Sequence, residues 1–555
     1  MSRSDRLVLA AILGVGLLLA WRARFVLDDA FISFQYARSL VEGAGLTWFG
    51  VRVEGYSNFG WVCWLALGMA LGFEPVAWSQ ASGLAAFCAA TVLLWRVVWV
   101  ATDGATPAVV VALVGFVTNF SVHSFATGGL ATMLQTALLL ATFHAIQLAR
   151  REDSVRLGTL LVASFCAAGA LLARLDSAVA LAPIGCWALL GVVVGGATER
   201  RGSRFLALGG PVTLVVGCWF VWKLAYYGSV LPNSFAAKVT GVDGLSDGLL
   251  QWWRFFVWYS LLPVVGALAG GLLFVRARLA VAAREASWVA LAILSANLVY
   301  LGAVGGDFME FRFLVPVAPF AYLLVGLLFE GLCRSASVVF RRVLAVQVAA
   351  LFAISSAVHA TTYYTDPDLR MDGIDQLGDF YGLYPDASWD RIGSALAREL
   401  GEVNPRLAVT AAGAIPFYSR FESVDLWGLN DPVIPTLGLV DSYRRPGHRF
   451  RAPFDYLEER GVNLIVGSPT VVPWERLRDS EVRADWLRGW AALATPVQDS
   501  GPRWLDVVAM PLDAENALLL WVLKTTPALE SAMAGWMRWT VPYHPPKRSR
   551  ASAPD

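Results

Sequence analysis

Charged side chains are scarce in this 555-residue chain. They make up 16% of it and hydrophobic residues 57%, whereas a soluble domain usually carries about 25% charged residues. The shortage is uneven, since 41 of the 87 charged residues fall in the first 360 positions and 46 in the last 195. An ordinary soluble enzyme is therefore not expected. The break near residue 360 predicts a membrane-embedded body followed by a water-soluble tail.

Cysteine, histidine and net charge are also in short supply. All six cysteines lie in or beside apolar runs before residue 360, so a disulfide framework or a cysteine-rich metal site is not expected. The five histidines are scattered without an HxxxH spacing, which argues against zinc. A net charge of +1 with no basic stripe gives no reason to expect nucleic acid as a partner.

Long apolar runs are what the chain has instead. A membrane span needs about 20 apolar residues, and most of the runs approach that length. The first run follows a short basic start without an A-x-A cleavage site, so it predicts an uncleaved signal anchor. The runs centre on 7–24, 59–73, 81–100, 108–119, 130–149, 157–173, 178–195, 205–225, 255–275, 286–304, 312–333 and 339–360.

Arginine in the short loops predicts the orientation. Loops at 150–156, 200–204, 276–284 and 334–342 are rich in arginine and alternate with loops that are not, which places them and the N-terminus in the cytoplasm. If all twelve runs crossed, the loop at 150–156 would lie outside. The short run 59–73 is therefore predicted to be an interfacial or re-entrant helix, with Ser57 or Asn58 as its N-cap.

The sequence thus predicts a polytopic α-helical membrane protein with about eleven transmembrane helices in residues 1–360. The first outer loop covers 25–80. A C-terminal extracytoplasmic α/β domain covers 361–541, with β-like runs at Leu407–Thr410 and Asn463–Val466 and a helical pattern around Phe454–Arg460. Residues 542–555 are predicted to be a disordered tail.

Two adjacent carboxylates, Asp28 and Asp29, follow the first span directly. Ala30, Phe34 and Ala37 recur at helical spacing, so a short helix is predicted to begin at the aspartates and end near Gly43 and Gly45. One interpretation is that either aspartate caps this helix. The other is a general base or metal ligand, because a carboxylate can accept a hydroxyl proton or hold a divalent cation.

Other polar segments are predicted to emerge on the same side of the membrane. Arg38, Lys238 and Arg312 could each anchor a helix at the interface or bind an anion. Arg174 and Asp176 are expected to form a structural pair. Candidates for substrate contacts share polar side chains in these segments: Glu54, Tyr56, Asn58, Asn233 and Asp307. Together they could form a site for a lipid phosphate.

These residues resemble a known family. The stretch LDDAFISFQYARSLVEGAGL followed by RVEGYSNFGW is similar to the start of membrane glycosyltransferases of the GT-C fold. More closely, it resembles the terminal arabinofuranosyltransferases of the mycobacterial cell wall and their bacterial relatives. The blocks YYGSVLPNSFAAK, GGDFMEFRFLVPV, GAIPFYSRFESVDLWGLNDP and PGHRF resemble later parts of the same group, in the same order.

The resemblance implies transfer of a sugar, arabinofuranose among the candidates, from a polyprenyl-phosphate donor to a cell-envelope glycan or glycolipid outside the bacterial cytoplasmic membrane. It gives the catalytic base to Asp28 or Asp29 and the donor phosphate to Arg38, Lys238 and Arg312. A divalent cation (Mg, Mn or Ca) beside the two aspartates is also implied. Membrane lipid is the remaining expected partner.

The chain departs from the family in two blocks. Relatives often have an acid in a Ser-Gly-Leu-Glu-Thr-like block, where this chain has Gly128-Gly129-Leu130-Ala131-Thr132, and an Arg-Pro-Asp block appears here as Arg174-Leu175-Asp176. A different donor or acceptor is therefore compatible with the sequence. Two alternatives stay open: a transporter or lipid-carrier protein without catalysis, and a protein O-mannosyltransferase-like enzyme.

Overall fold

The computed structural model describes residues 2–151, 156–194, 200–233, 245–274, 279–307, 309–365, 388–437, 450–478 and 503–543. Two compact units emerge. The first contains residues 1–26, 58–228 and 240–374, and the second contains residues 27–57, 229–239 and 375–555. The second unit therefore combines the predicted tail with two segments that precede it in the chain.

The regular secondary structure of the first unit is helical within the described residues, and it includes a π-helix at Leu189–Val194. Its helices are α1 (Arg3–Arg22), α3 (Phe59–Ala70), α4 (Pro75–Ala101), α5 (Thr106–Thr118), α6 (Phe120–Ser124), α7 (Thr132–Arg151), α8 (Leu157–Ala173), α9 (Ser177–Ala188), α10 (Arg201–Tyr227), α11 (Leu245–Trp258), α12 (Leu261–Phe274), α13 (Val281–Val304), α14 (Ala318–Cys333) and α15 (Val338–Thr365). Each of the twelve predicted apolar runs coincides with one of these helices or, for 255–275, with the pair α11 and α12.

Six helices of the described residues are long and apolar enough to cross a membrane: α1, α4, α7, α10, α13 and α15. The pair α11 and α12, bent by 68°, would make a seventh if it forms one span. Five further apolar helices have 10–17 residues, fewer than the roughly 20 that a perpendicular span requires. The predicted count of eleven therefore stays a prediction.

Local sequence explains where several of these helices begin and end. Ser2 and Asp5 form a capping box at α1, and the Glu74 side chain accepts hydrogen bonds from two backbone N–H groups at the start of α4. Helix α13 ends where Gly305 takes a φ of 79°, a conformation that glycine adopts without steric cost. Asn58 occupies the N-cap position of α3, one of the two residues predicted there.

Small residues allow the helices of the first unit to approach closely. A Cβ at Gly83 would overlap the carbonyl oxygen of Ala126, and one at Gly115 would overlap the ring of Tyr322. Close approach of this kind is typical of packing between membrane helices, where dispersion contacts replace the hydrophobic effect.

The second unit contains helices and strands in this order: α2 (Asp28–Val41), α16 (Trp389–Leu400), β1 (Leu407–Val409), α17 (Ala414–Ser419), β2 (Ser423–Asp425), α18 (Phe454–Glu459), β3 (Leu464–Pro473), α19 (Trp474–Arg478), β4 (Arg503–Pro511), β5 (Asn516–Val522), α20 (Pro527–Ala532) and β6 (Met537–Tyr543). The strands form a mixed six-stranded sheet in the order β2-β1-β3-β5-β4-β6. Strand β1 is parallel to β2 and β3, and the other pairs are antiparallel.

The sheet forms the core of this unit. Every residue of the central strand β5 is buried, and Ile465, Val507 and Trp521 belong to one apolar cluster with Phe454 and Leu457 of α18. Strands β1 and β3 and helix α18 coincide with the predicted β-like runs and helical pattern. Strand β6 includes residues 542 and 543, the first two residues of the predicted tail; residues 544–555 lie outside the described part.

Candidate active site

Helix α2 begins at the two aspartates and ends at Val41, as predicted, and glycines with positive φ follow at 43 and 45. Leu27 occupies its N-cap and no side-chain cap is made. The interpretation of Asp28 or Asp29 as the N-cap is therefore wrong. Both acids instead occupy the first turn, where the partial positive charge of the helix N-terminus favours a carboxylate.

The Asp28 carboxylate is held by the backbone of a distant segment of the second unit. Oδ1 accepts a hydrogen bond from the N–H of Ala414 at 2.7 Å, and Oδ2 accepts one from Gly413 at 3.1 Å. Glycine at 413 is what permits this approach, because a Cβ there would overlap the backbone oxygen and carboxyl group of Asp28. The side chain is thereby fixed in position by two strong, charge-assisted contacts.

Burial and neighbouring acids determine the electrostatics of Asp28. The residue is only 7% exposed, and burial raises the pKa of its carboxyl to about 7. The hydrogen bonds from Ala414 and Gly413 oppose this increase in pKa, whereas the charges of Asp29 and Asp425 add to it. A pKa near 7 suits a group that must accept a proton at neutral pH.

Asp29 is half-buried beside Asp28. Within the described residues, no group of three or more His, Cys, Asp or Glu side chains could hold a metal ion. Each Asp28 oxygen already accepts one hydrogen bond, so the aspartates supply a small donor set. The divalent cation therefore stays a prediction, since a cation such as Mg²⁺ would have to complete its shell here with substrate phosphate and water.

Arg38, the predicted phosphate ligand on α2, contacts the segment that follows Gly413. Its Nη1 donates a hydrogen bond to the carbonyl of Phe417 at 2.6 Å, and the guanidinium lies 3.5 Å from the centre of the Phe417 ring. Burial, and then the charge of Arg420, lower the pKa of Arg38 to about 10. The side chain therefore remains a cation at neutral pH, and it also ties α2 to helix α17.

Tyr36 connects α2 to the polar segment 53–56. Its hydroxyl donates to the carbonyl of Val53 at 2.8 Å and accepts from the N–H of Gly55 at 3.1 Å. The rings of Tyr36 and Tyr56 pack edge-on with centroids 4.8 Å apart. Glu54 and Tyr56, both predicted substrate contacts, are buried in this arrangement.

Asn233 also belongs to this group of residues. Its Nδ2 donates hydrogen bonds to the carbonyls of Gly428, Leu429 and Asp431 at 2.7, 3.0 and 3.0 Å, and its N–H donates to the carbonyl of Glu54 at 2.9 Å. The structure thus brings together predicted residues that lie almost 180 positions apart in the sequence. The amide braces the loop after β2.

That loop begins at Asp425, a second buried acid. Its carboxylate accepts hydrogen bonds from the N–H groups of Trp427 and Asn430 and from Nδ2 of Asn430. Burial raises the pKa of Asp425 to about 6 against these hydrogen bonds. Asp28 and Asp425 are therefore two buried carboxyls of one unit, each held by amide donors.

Two predicted site residues, Arg312 and Asp307, belong to the first unit. Nε and Nη2 of Arg312 donate to the two oxygens of Asp307 at 2.7 and 3.0 Å, and both side chains are buried. Asn58 is also buried in this unit, where it occupies the N-cap position of α3 without a side-chain capping hydrogen bond. Arg174 and Asp176 form the expected pair, at 2.6 Å. Lys238 lies outside the described residues.

Several residues in the second unit were not singled out from the sequence: Gly413, Ala414, Phe417, Asp425, Asn430 and Tyr36. All except Tyr36 lie within the block GAIPFYSRFESVDLWGLNDP, which carried the resemblance but no individual role. A glycine beside a short apolar helix and four polar residues in SVDLWGLNDP were the available signals. Backbone donors such as those of Gly413 and Ala414 leave no side-chain signature in a sequence.

Comparisons with known proteins bear on the fold of this chain. A family model described as a domain of unknown function (DUF8728) matches residues 382–508. Terminal beta-(1->2)-arabinofuranosyltransferase of Mycobacterium tuberculosis is 27% identical over 274 residues, which are 47% of this chain and 42% of that protein. The match thus spans less than half of the length of this curated relative.

Solved structures are similar over nearly the whole chain. ArnT from Cupriavidus metallidurans bound to undecaprenyl phosphate has a TM-score of 0.53 and 15% identity, and covers 94% of this chain and 98% of ArnT. Its apo state gives a TM-score of 0.52 and 14% identity, covering 94% and 99%. The chain has the GT-C fold of these multi-pass membrane proteins, which confirms the resemblance identified in the sequence.

Proposed function

We propose that this protein transfers a sugar from a polyprenyl-phosphate donor to a cell-envelope glycan or glycolipid on the outer face of the bacterial cytoplasmic membrane. The observation that carries the proposal is the buried Asp28 carboxylate, which is fixed by the Gly413 and Ala414 N–H groups and has a pKa near 7. The GT-C fold supports the reaction class, and the undecaprenyl phosphate bound to ArnT supports the donor class.

In the proposed reaction, Asp28 is the general base. It accepts the proton of an acceptor hydroxyl, whose oxygen forms a bond to the anomeric carbon of the donor sugar. The bond between that carbon and the phosphate oxygen breaks, and its electron pair leaves with the polyprenyl phosphate. The N–H groups of Gly413 and Ala414 already point at the Asp28 carboxyl, so the protein does not have to reorganise around it when its charge changes during this step.

Asp29 and Arg38 have supporting roles in this proposal. Arg38 would attract the donor phosphate, as would Lys238, and Glu54, Tyr56 and Asn233 would position the segments around the substrates. Arg312 and Asp307 neutralise each other, so we give them no part in the reaction. Asp29 would help to hold a divalent cation, together with substrate phosphate and water, which would neutralise charge on the phosphate when bound and leave Asp28 to accept the proton. Arabinofuranose is the first sugar to test, because the curated relative is named for it.

The decisive experiment measures turnover of the full chain in lipid nanodiscs against a panel of polyprenyl-phosphate sugars. Asp28→Asn and Asp29→Asn are each compared with Glu42→Gln, which changes a more exposed acid that follows the last residue of the same helix. We expect release of free polyprenyl phosphate by the wild type and by Glu42→Gln, and a loss of several hundredfold or more in Asp28→Asn. Full activity of Asp28→Asn with wild-type folding would remove its role as base.

The same assay separates the alternatives. A transporter or lipid carrier would release no free polyprenyl phosphate from any donor, and an O-mannosyltransferase-like enzyme would require a protein acceptor. Chelation of divalent ions should reduce turnover if the cation is used. Reporter fusions at the N-terminus and within residues 388–437 test the proposed topology, with the first cytoplasmic and the second outside.

A further inference from the structure

The first unit contains a cavity of about 380 Å³ beside the C-terminal half of α15. Its wall includes Trp258 at the end of α11 and Leu351, Ile354, Val358, His359 and Thr362 of α15. None of these residues belongs to the candidate active site. The volume is at the lower end of the range for ligand pockets, about 300–1,000 Å³, so it would hold part of a lipid rather than a whole one.

The polarity of the wall changes along α15. Leu351, Ile354 and Val358 are apolar, and His359 lies beyond them toward the end of the helix. Ser355 and Thr362 also line the wall, but their hydroxyls donate to the carbonyls of Phe352 and Val358 in the same helix. Leu351 and His359 are separated by about 12 Å along the axis, and His359 is about 9 Å from the last residue of the helix, at 1.5 Å per residue. A 28-residue helix of about 42 Å spans both the hydrocarbon core and the headgroup layers. A helix of this length centred on the bilayer would place His359 near the depth at which headgroups begin.

The cavity adjoins a surface that faces lipid. Ile354 and Val358 are 61% and 60% exposed on a helix long and apolar enough to cross the membrane. Exposed apolar side chains on such a helix contact lipid chains, which are as apolar as leucine itself. An occupant can thus enter from the bilayer with its chain beside Leu351 and its head toward His359.

His359 is paired with a buried acid behind it. Its Nε2 is 2.6 Å from Oε1 of Glu310, which is fully buried and also accepts a hydrogen bond from Ser121 at 3.2 Å. Within the described residues Glu310 Oε2 has no hydrogen-bond partner, and Nε2 is the only nitrogen of His359 that has one.

The charge of this pair determines what the cavity can recognise. A net charge buried here would be costly, so a net-neutral pair is favoured. Two arrangements are neutral: an imidazolium with a carboxylate, and a neutral imidazole with a protonated carboxyl that donates to Nε2. In both, Nδ1 carries a proton. His359 therefore presents a hydrogen-bond donor, and its ligand must supply an acceptor oxygen.

We infer that this cavity binds a phospholipid of the surrounding membrane. One chain lies along Leu351, Ile354 and Val358, and an ester or phosphate oxygen accepts a hydrogen bond from Nδ1 of His359. The apolar side chains would contact the lipid chain, and His359 would supply the hydrogen-bond donor at the end of the cavity. This arrangement matches a lipid whose oxygens lie at the boundary of the hydrocarbon core. This site is independent of the proposed sugar transfer, since it uses none of the same residues.

Native mass spectrometry of the full chain, delipidated in mild detergent and titrated with palmitoyl-oleoyl phosphatidylglycerol, tests the inference. Ile354→Trp fills the cavity without altering the His359–Glu310 pair, and its matched control is Val346→Trp, at an exposed position elsewhere on the same helix. We expect one retained lipid per chain in the wild type and in Val346→Trp, and at least about tenfold weaker binding in Ile354→Trp, a difference of about 1.4 kcal/mol.

Two substitutions at His359 test the donor. His359→Gln keeps an N–H group and should retain most of the binding, whereas His359→Phe removes it and should bind about as weakly as Ile354→Trp. Equal binding by all four variants would overturn the site. Retention of a polyprenyl phosphate in preference to the phospholipid would overturn the assigned occupant. These binding measurements do not require turnover, so they test the lipid site independently of the proposed sugar transfer.

Discussion

Two buried aspartates, one in each unit, show how the surroundings give residues of the same type different electrostatic properties. Asp307 is neutralised by two hydrogen bonds from Arg312. Asp28 receives only backbone N–H groups and has acids as its charged neighbours, with no ion pair within the described part of the chain. In the Asp307–Arg312 pair each charge compensates the other, so the pair has a structural role. The Asp28 carboxyl has no cationic partner of this kind, and its pKa stays near the pH at which it would accept a proton.

The largest expected effect concerns the neutralised pair. Asp307→Asn leaves the Arg312 cation buried without its counter-charge, which should reduce the free energy of unfolding by about 3–5 kcal/mol. Asp28→Asn removes an unneutralised charge but leaves one of the two backbone N–H groups without an acceptor, so it should cost less, about 1–3 kcal/mol. Thermal unfolding of both variants in nanodiscs makes the comparison, and equal destabilisation would show that the two acids are not distinguished as described.

The next effect concerns how Asp28 is positioned. Gly413→Ala would place a methyl group where the Asp28 carboxyl lies, and displacement of a catalytic group by about 1 Å can cost about 100-fold in rate. Gly535→Ala is the matched control, because a Cβ there meets no atom within 4 Å. Unchanged kcat in Gly413→Ala would contradict the assigned contact.

A pH profile addresses Asp28 directly. Because burial raises its pKa to about 7, a general base here is protonated and inactive below that pH. Turnover should rise as pH increases through about 7, and at pH 6 it should be about one tenth of its plateau. A profile of kcat that stays flat between pH 5.5 and 8 would assign the base to another group.

The smallest effect concerns the hydroxyl of Tyr36. Tyr36→Phe keeps the ring against Tyr56 but removes the hydrogen bonds to Val53 and from Gly55. The loss should be about 1–3 kcal/mol in stability, with a smaller change in turnover than Gly413→Ala. An effect on turnover as large as that of Gly413→Ala would give Tyr36 a part in the reaction.

Much of the fold followed from patterns along the chain. Apolar runs, the helix from Asp28 to Val41 and the strands near 407 and 464 are local features, since a run or a period is set by neighbouring residues. The number of spans did not follow, because five of the apolar helices are shorter than a bilayer is thick. Whether such helices cross depends on tilt and on neighbouring helices.

The candidate site was predictable only in part. The aspartates could be found as adjacent acids after a span, and Arg312 and Asp307 as polar residues between helices. That Arg312 pairs with Asp307 could not be deduced from spacing, because four intervening residues are compatible with many loop conformations. The partners of Asp28 are backbone N–H groups 385 and 386 positions away, and any residue except proline can supply such a donor.

The sequence by itself determined that this is a mainly apolar helical chain with a more polar tail, and it identified the GT-C resemblance. Both follow from composition and local motifs, which depend only on the order of residues along the chain. Tertiary structure alone decided which acid is neutralised and which is held by amides, and which histidine faces a cavity. The physical reason is that a carboxyl group's proton affinity depends on burial and on charges brought near it by folding, and those neighbours come from distant parts of the chain.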